Sequence, residues 1–252
     1  MVKFEELLEA GVHFGHLSRK WHPAMKPYIF TTKNDIHIID LNKTQVLLDE
    51  AVDAVRAISR AGRQIMFVGT KKQAKEIIER YARSSGSAFV TDRWLGGMLT
   101  NFATVRKSVK KLQALEKMES DGTGALLIKK ERLMIGREKA KLTRVLGGVM
   151  DMNRLPGALF IVDVKNEHIA VAEAKKLGIP TIGMVDTNSD PNVVDFPIPA
   201  NDDAAKSIEI ITRAITEAIV QGNSERKESR EAQVKEADAP VAEVVAEAVV
   251  AE

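Results

Sequence analysis

The residues best suited to chemistry are a glycine and two lysines in the run Val68-Gly69-Thr70-Lys71-Lys72, where an apolar stretch gives way to a helical pattern. At a strand-to-helix junction, backbone amides and the helix dipole can hold a phosphate. The run lacks the second glycine and the trailing Ser or Thr of a nucleotide phosphate loop, and also the three spaced glycines of a dinucleotide fingerprint. A plain helix start is the first reading, an RNA phosphate contact through Lys71 and Lys72 the second, and a bound nucleotide the third.

His13, His16 and His22 lie close together near the amino terminus. Two residues between histidines suit a metal, but no cysteine or fixed further ligand completes the set. A helix-end cap, or packing beside Phe14 and Trp21, is favoured instead. Asp186, Asp190, Asp195, Asp202 and Asp203 gather near the ends of the late apolar runs. A hydrated divalent ion is one use for them, and loop or helix capping the commoner one, with Asp202 read as a cap and Asp203 in the first turn. No Ser/His/Asp order, glycine-framed serine or His-Glu-x-x-His occurs. No catalytic residue, metal site or cofactor is therefore assigned.

The basic residues say more. Arg19, Lys20, Trp21, His22 and Lys26 interleave cations with an aromatic, and Arg93 with Trp94 repeats the theme. Beyond them come Arg106, Lys107, Lys110, Lys111 and Lys117, and later Lys129, Lys130, Arg132, Arg137, Lys139, Lys141 and Arg144. Acids are few before Glu116, so the first of these groups is short of nearby partners and reads as phosphate-seeking. The candidate RNA-binding residues are Arg19, Lys20, Trp21, Lys26, Lys71, Lys72, Arg93, Trp94, Arg106, Lys110 and Lys111.

The elements that must position these residues follow from periodicity. Apolar runs of strand length occur at 36–39, 65–68, 88–90, 159–162 and 181–185, several of them continuous, as in strands covered on both faces. Helical patterns at 43–61, 71–85, 167–177 and 202–220 alternate with them, three closing on Gly62, Gly86 and Gly178. This alternation predicts an α/β fold with a doubly wound, mostly parallel sheet. Residues 101–150 break the rhythm. Val105, Val109, Leu112, Leu115 and Met118 form one apolar seam and Ile128, Ile135, Leu142 and Val149 another, separated by the turn composition of 120–124. An inserted antiparallel helical hairpin of coiled-coil type is expected there. The predicted organisation is a discontinuous domain of 1–100 and 151–222, the hairpin at 101–150, and an acidic Ala/Val/Glu-rich tail at 223–252, read as disordered unless a partner orders it.

Composition bounds the rest. The 252 residues, 44% of them hydrophobic, suffice for a sizeable core, and the lack of cysteine excludes disulfides and thiol chemistry and fits a reducing cytoplasm. The acidic start is unlike a secretory signal, and no apolar run approaches a membrane span, so no membrane partner is expected. Net charge is only +2, from 37 Lys+Arg against 35 Asp+Glu, because residues 237–252 carry acids and no base and so mask a more basic body.

Several segments carry a family resemblance. Residues 7–16 (LLEAGVHFGH), 21–29 (WHPAMKPYI), 67–74 (FVGTKKQA) and 93–102 (RWLGGMLTNF) resemble bacterial small-subunit ribosomal protein family two. So do 156–163 (PGALFIVD), Glu167, Ala172-Glu173-Ala174, Gly178-Ile179-Pro180, 185–191 (VDTNSDP) and 198–204 (IPANDDA). The resemblance runs from Leu7 to about Ile219 in family order. It implies a flavodoxin-like α/β domain with a coiled-coil hairpin, a seat on 16S rRNA between head and body at the back of the small subunit, and cytoplasmic ribosomes as the location. It further implies neighbouring small-subunit proteins as partners and help in docking the large OB-repeat ribosomal protein one, which captures mRNA. No small-molecule substrate is implied. The alternative from another class is a nucleotide-binding α/β enzyme, since the same architecture hosts many. A protein-only adaptor, gripping a partner helix with its hairpin, is the third.

Overall fold

The computed structural model describes residues 2–121 and 128–231 with their side chains, and the backbone on to 249. Its centre is a five-stranded, wholly parallel sheet of β4 (Ile65–Val68), β5 (Ala88–Val90), β6 (Ala158–Val162), β7 (Thr181–Val185) and β8 (Phe196–Pro199). The spatial order β5-β4-β6-β7-β8 reverses direction between β4 and β6, as in flavodoxin-like doubly wound sheets. All residues of β4, β6 and β7 are buried, which is why these strands read as unbroken apolar runs. The fifth strand escaped the sequence reading because Phe196-Pro197-Ile198-Pro199 carries two prolines; it is tolerated at the sheet edge, where one side needs no ladder donors.

Side chains alternate between two cores. Ile65, Phe67, Phe160 and Ile182 point to α2 (Leu41–Arg60), α3 (Lys75–Ser85) and the last helix, α7 (Ala205–Val249). Phe67 and Phe160 meet edge to face with ring centroids 5.5 Å apart. Met66, Val68, Leu159 and Ile161 point the other way, to α6 (His168–Leu177) and the segment around Trp94. With α1 (Phe4–Glu9), the amino-terminal region adds a three-stranded antiparallel sheet of β1 (Phe14–Leu17), β2 (Ile29–Lys33) and β3 (Ile36–Ile39). The run at 36–39 is thus a strand, but of this smaller sheet and not of the parallel one. β2 and β3 are joined by Asn34 and Asp35, both in the left-handed region (φ 52° and 60°) that a two-residue hairpin turn demands.

Two further expectations change. The helix expected to stop near Val220 continues as α7 to Val249, so residues 223–249 of the expected tail are helical, and 250–252 lie outside the described residues. Gly222 permits this because it packs directly on α2, where an added Cβ would meet the Arg56 carbonyl oxygen at 2.5 Å, and Glu225 then reaches Arg60 at 3.9 Å. Asp202 and Asp203 precede the helix, in a turn held by Asn201, whose Oδ1 accepts from the amides of Asp203 and Ala204 just before the first helical residue, Ala205.

Between β5 and β6 stand two long helices, α4 (Phe102–Ser120) and α5 (Lys129–Leu146), at the place where the rhythm of the sequence breaks. Ion pairs Lys111–Glu138 and Lys139–Glu119 link them. Residues 122–124 of the expected turn lie outside the described residues. The seams are buried toward the base of the pair, at Val109, Leu112 and Val149, whereas Ile128 is exposed. At that base Gly148 lies against β5: an added Cβ would sit 2.2 Å from the Phe89 carbonyl oxygen. Gly148→Ala must push the base of α5 away from β5, and a loss of about 1–3 kcal/mol is expected, read as a lower urea midpoint at unchanged slope.

Candidate nucleic-acid interface

The carboxyl ends of β4, β6 and β7 open on the crevice in which doubly wound sheets hold their ligands. Here the chain's own side chains occupy it. Lys71, at the start of the turn after β4, places its Nζ 2.7 Å from Asp202 Oδ1, 2.6 Å from Asp203 Oδ1 and 3.6 Å from Asp163 Oδ2. Burial alone would lower the Lys71 pKa, but the hydrogen bonds to Asp202 and Asp203 raise it. Thr70 donates through both its amide and its hydroxyl to Glu167, whose carboxyl is pushed upward by burial. The glycine-lysine run therefore begins a turn locked by internal acids, and Lys71 is corrected from a phosphate contact to an internal counter-ion. Lys72 beside it is exposed.

His16 reaches the same crevice from β1. Its Nδ1 lies 3.0 Å from Asp186 Oδ2 and its Nε2 3.3 Å from Asp203 Oδ2. Gly15 makes the approach possible, since an added Cβ there would meet Thr187 Cγ2 at 2.6 Å. The hydrogen bond to Asp186 raises the His16 pKa against the opposing effect of burial. Asp202 is fully buried, and its Oδ2 has no partner. Burial first, then the charges of Asp186 and Asp163, push its carboxyl up to about 7 despite Lys71. His16, Asp186 and Asp202 offer one ligand atom each within 4.8 Å of one another, and are the residues among those described that could hold a metal ion. The other two histidines do not join them: His13 packs on Phe14 at 4.0 Å between ring centroids, and His22 accepts from the Ala24 amide as a turn cap. Asp190 and Asp195 are also local, accepting from Asn192 and from Thr181 respectively.

A second carboxylate organises the loop that leads into α4. Glu173, on α6 and nearly buried, accepts from Trp94 Nε1 at 3.1 Å, from the amides of Gly97, Leu99 and Thr100 at 2.7–3.0 Å, and from the Thr100 hydroxyl at 3.1 Å. Burial would raise its pKa, but these donors lower it. Trp94 is only 5% exposed. It is therefore corrected from a base-stacking candidate to a core residue, turned inward by the one bond its indole can donate. Trp21 keeps 37% of its surface exposed and leans on His37.

Of the cations singled out by sequence, Arg19, Lys20, Lys26, Lys72, Arg93 and Lys110 are exposed and have no ion pair among the described residues. Arg106 is half-buried and donates to the Asn153 carbonyl at 2.6 Å. Lys111 is held by Glu138 of α5, so its lack of nearby acids in sequence does not survive folding. Asp92 holds Lys75 and Arg144. The Lys71–Asp202 pairing, which spans 131 positions, had no local signal that sequence reasoning could have used.

Comparison with known proteins decides what kind of molecule carries this surface. Residues 7–222 match the family model described as ribosomal protein S2. The chain is 61% identical over 236 residues to a small ribosomal subunit protein uS2 of Cytophaga hutchinsonii, covering 93% of each chain. The chain belongs to the ribosomal protein S2 family. A uS2 of Chlorobaculum parvum is 58% identical over 230 residues, covering 90% of this chain and 92% of its own, and that of Porphyromonas gingivalis 57% over 226, covering 90% and 80%. Membership makes the chain a protein of the small ribosomal subunit and not an enzyme, and the nucleotide-enzyme alternative falls. No helix among the described residues is long and apolar enough to cross a membrane.

The crevice makes the S2 chain sensitive to pH. Asp202 binds its proton more tightly in the folded state (about 7) than an unfolded aspartate does (about 3.9), so its contribution is full below that lower value and is lost as pH rises through the higher. His16, also raised, acts in the same direction. Thermal midpoints should fall from pH 5 to pH 8, by on the order of 2 kcal/mol of stability, and Asp202→Asn should flatten the curve. Parallel curves for the two proteins would contradict this assignment.

Proposed function

We propose that the chain is a structural component of the cytoplasmic small ribosomal subunit that anchors itself to 16S rRNA through phosphate contacts. The observation that carries this reading is the set of exposed cations without acidic partners among the described residues: Arg19, Lys20 and Lys26 on the amino-terminal sheet region, Lys72 after β4, Arg93 on the Glu173-held loop, and Lys110 on α4. Within a ribosomal protein family, unpaired surface cations on rigid elements are suited to positioning a protein on folded RNA without reading its sequence. Trp21 adds a half-exposed stacking face beside the first group.

In this reading, 1–100 and 151–222 form the platform and 101–150 an inserted antiparallel coiled-coil hairpin, supported by the two cross-linking ion pairs of α4 with α5. Residues 223–252 follow the platform in sequence as an acidic segment. The hairpin and platform together take part in docking the large OB-repeat ribosomal protein one, alongside neighbouring small-subunit proteins. No small-molecule substrate enters: the crevice that would take one is filled by Lys71 and its carboxylates.

Binding driven by phosphate neutralisation releases counterions and weakens steeply with salt. Sucrose-gradient sedimentation of cell extract should show the protein with small subunits at low salt and progressively free as salt rises; salt-independent association would oppose the reading. Lys110→Glu should lower affinity for small subunits roughly tenfold at an unchanged thermal midpoint, since Lys110 has no ion pair among the described residues to lose. A protein-only adaptor predicts no effect of this change on small-subunit association.

A further inference from the structure

At the end of the parallel sheet opposite the Lys71 crevice, a cavity of about 520 Å³ opens below the starts of β4 and β5. Three arginines line it: Arg63 before β4, Arg154 before β6, and Arg226 on α7. Asp151 is the single carboxylate among the lining residues. Six arginines elsewhere are neutralised: Arg56, Arg60, Arg80, Arg83, Arg144 and Arg213 all sit against carboxylates. Arg63, Arg154 and Arg226 have no ion pair among the described residues, and only backbone orients two of them. Arg154 Nη2 donates to the Gly62 carbonyl at 2.9 Å, and the Arg226 guanidinium covers Gly62 so closely that an added Cβ would meet its Cζ at 2.5 Å.

The floor of the cavity adds an independent sign. Ser59, 1% exposed and lining the same space, has a buried hydroxyl with no hydrogen-bond partner. Three guanidiniums without carboxylate partners beside a hydroxyl that can donate suit an anion that accepts hydrogen bonds. Guanidinium forks match phosphate oxygens two at a time, and the space is too polar for an apolar guest.

We propose that this arginine cleft is a seat for a phosphodiester group of the rRNA backbone, which Arg63, Arg154 and Arg226 clasp and the Ser59 hydroxyl hydrogen-bonds. The proposal rests on the rRNA reading and gives it a site that no motif announced. RNA, rather than a free phosphate, is favoured by continuity: Arg106 of α4 donates to Asn153 on the rim, joining the cleft to the exposed bases Lys107 and Lys110.

The test uses the full-length chain and small subunits washed free of this protein by salt. Arg63→Gln, at a side chain with no hydrogen bond among the described residues to lose, should bind about tenfold more weakly, with the slope of log affinity against log salt reduced by about 1. Ser59→Ala removes an unsatisfied group, so its thermal midpoint should hold or rise while its affinity falls several-fold. If wild type binds and both variants match it in affinity and slope, the cleft is overturned while the wider rRNA reading stands; if wild type itself fails to bind, both are overturned. Titration with inorganic phosphate separates the sources: a saturable rise in the wild-type thermal midpoint that is absent in Arg63→Gln, with particle affinity the same for both, would assign the cleft to a free anion and overturn the RNA seat.

Discussion

One ammonium among several carboxylates sets the terms for this molecule. Lys71 bridges Asp163 at the end of β6 and Asp202 and Asp203 before α7, while His16 brings in Asp186 at the end of β7. Strands β4, β6 and β7, the last helix and the amino-terminal sheet are thus tied at one point. Such a cluster is a poor source of net stability, because desolvation offsets most of the attraction, but taking away its single lysine would leave buried acids uncompensated. Its value lies in register: three strand ends and β1 can satisfy these charges in only one relative placement.

The same economy governs the route to α4. Glu173 spends both oxygens on the loop from Trp94 to Thr100 and thereby fixes the angle at which α4 leaves the sheet domain. Asp92 adds contacts to Lys75 and Arg144, so carboxylates on the sheet side help the buried apolar seams hold the bases of α4 and α5. Acids are used inward, as fasteners. The exposed and unpaired charges are then predominantly basic, which explains how a chain of net charge +2 presents a cationic surface.

Much of this architecture was legible before any coordinates. β4, β5 and β7 fall where continuous apolar runs stand, and α3 and α6 end at the left-handed glycines Gly86 and Gly178, as their sequences announce. The failures have physical causes. Ile36–Ile39 looks like any other strand, because periodicity does not say which sheet a strand joins. Trp94 beside Arg93 looked like a stacking platform, and only the carboxylate of Glu173, 79 positions away, turns it inward. Lys71 and Lys111 were counted as free because their partners, Asp202 and Glu138, are remote in sequence. Local pattern reports backbone state well, whereas the availability of a charge is a tertiary property.

That distinction also explains how a fold so often used for nucleotides serves a ribosomal protein. A phosphate-binding crevice needs unsatisfied amides and a free cation at the strand ends. Here the cation is neutralised, the Thr70 amide is given to Glu167, and His16 closes the side with its ring. The crevice has become an internal fastening, and in the proposed function phosphate is left to cations outside it, on the loop after β1, on α4 and around the arginine cleft. A small ligand is surrounded by its protein, so its site must be concave and single. In the proposed function a folded polyanion surrounds the protein instead, and its contacts are best spread over separate rigid elements whose relative positions the carboxylate fastenings hold constant.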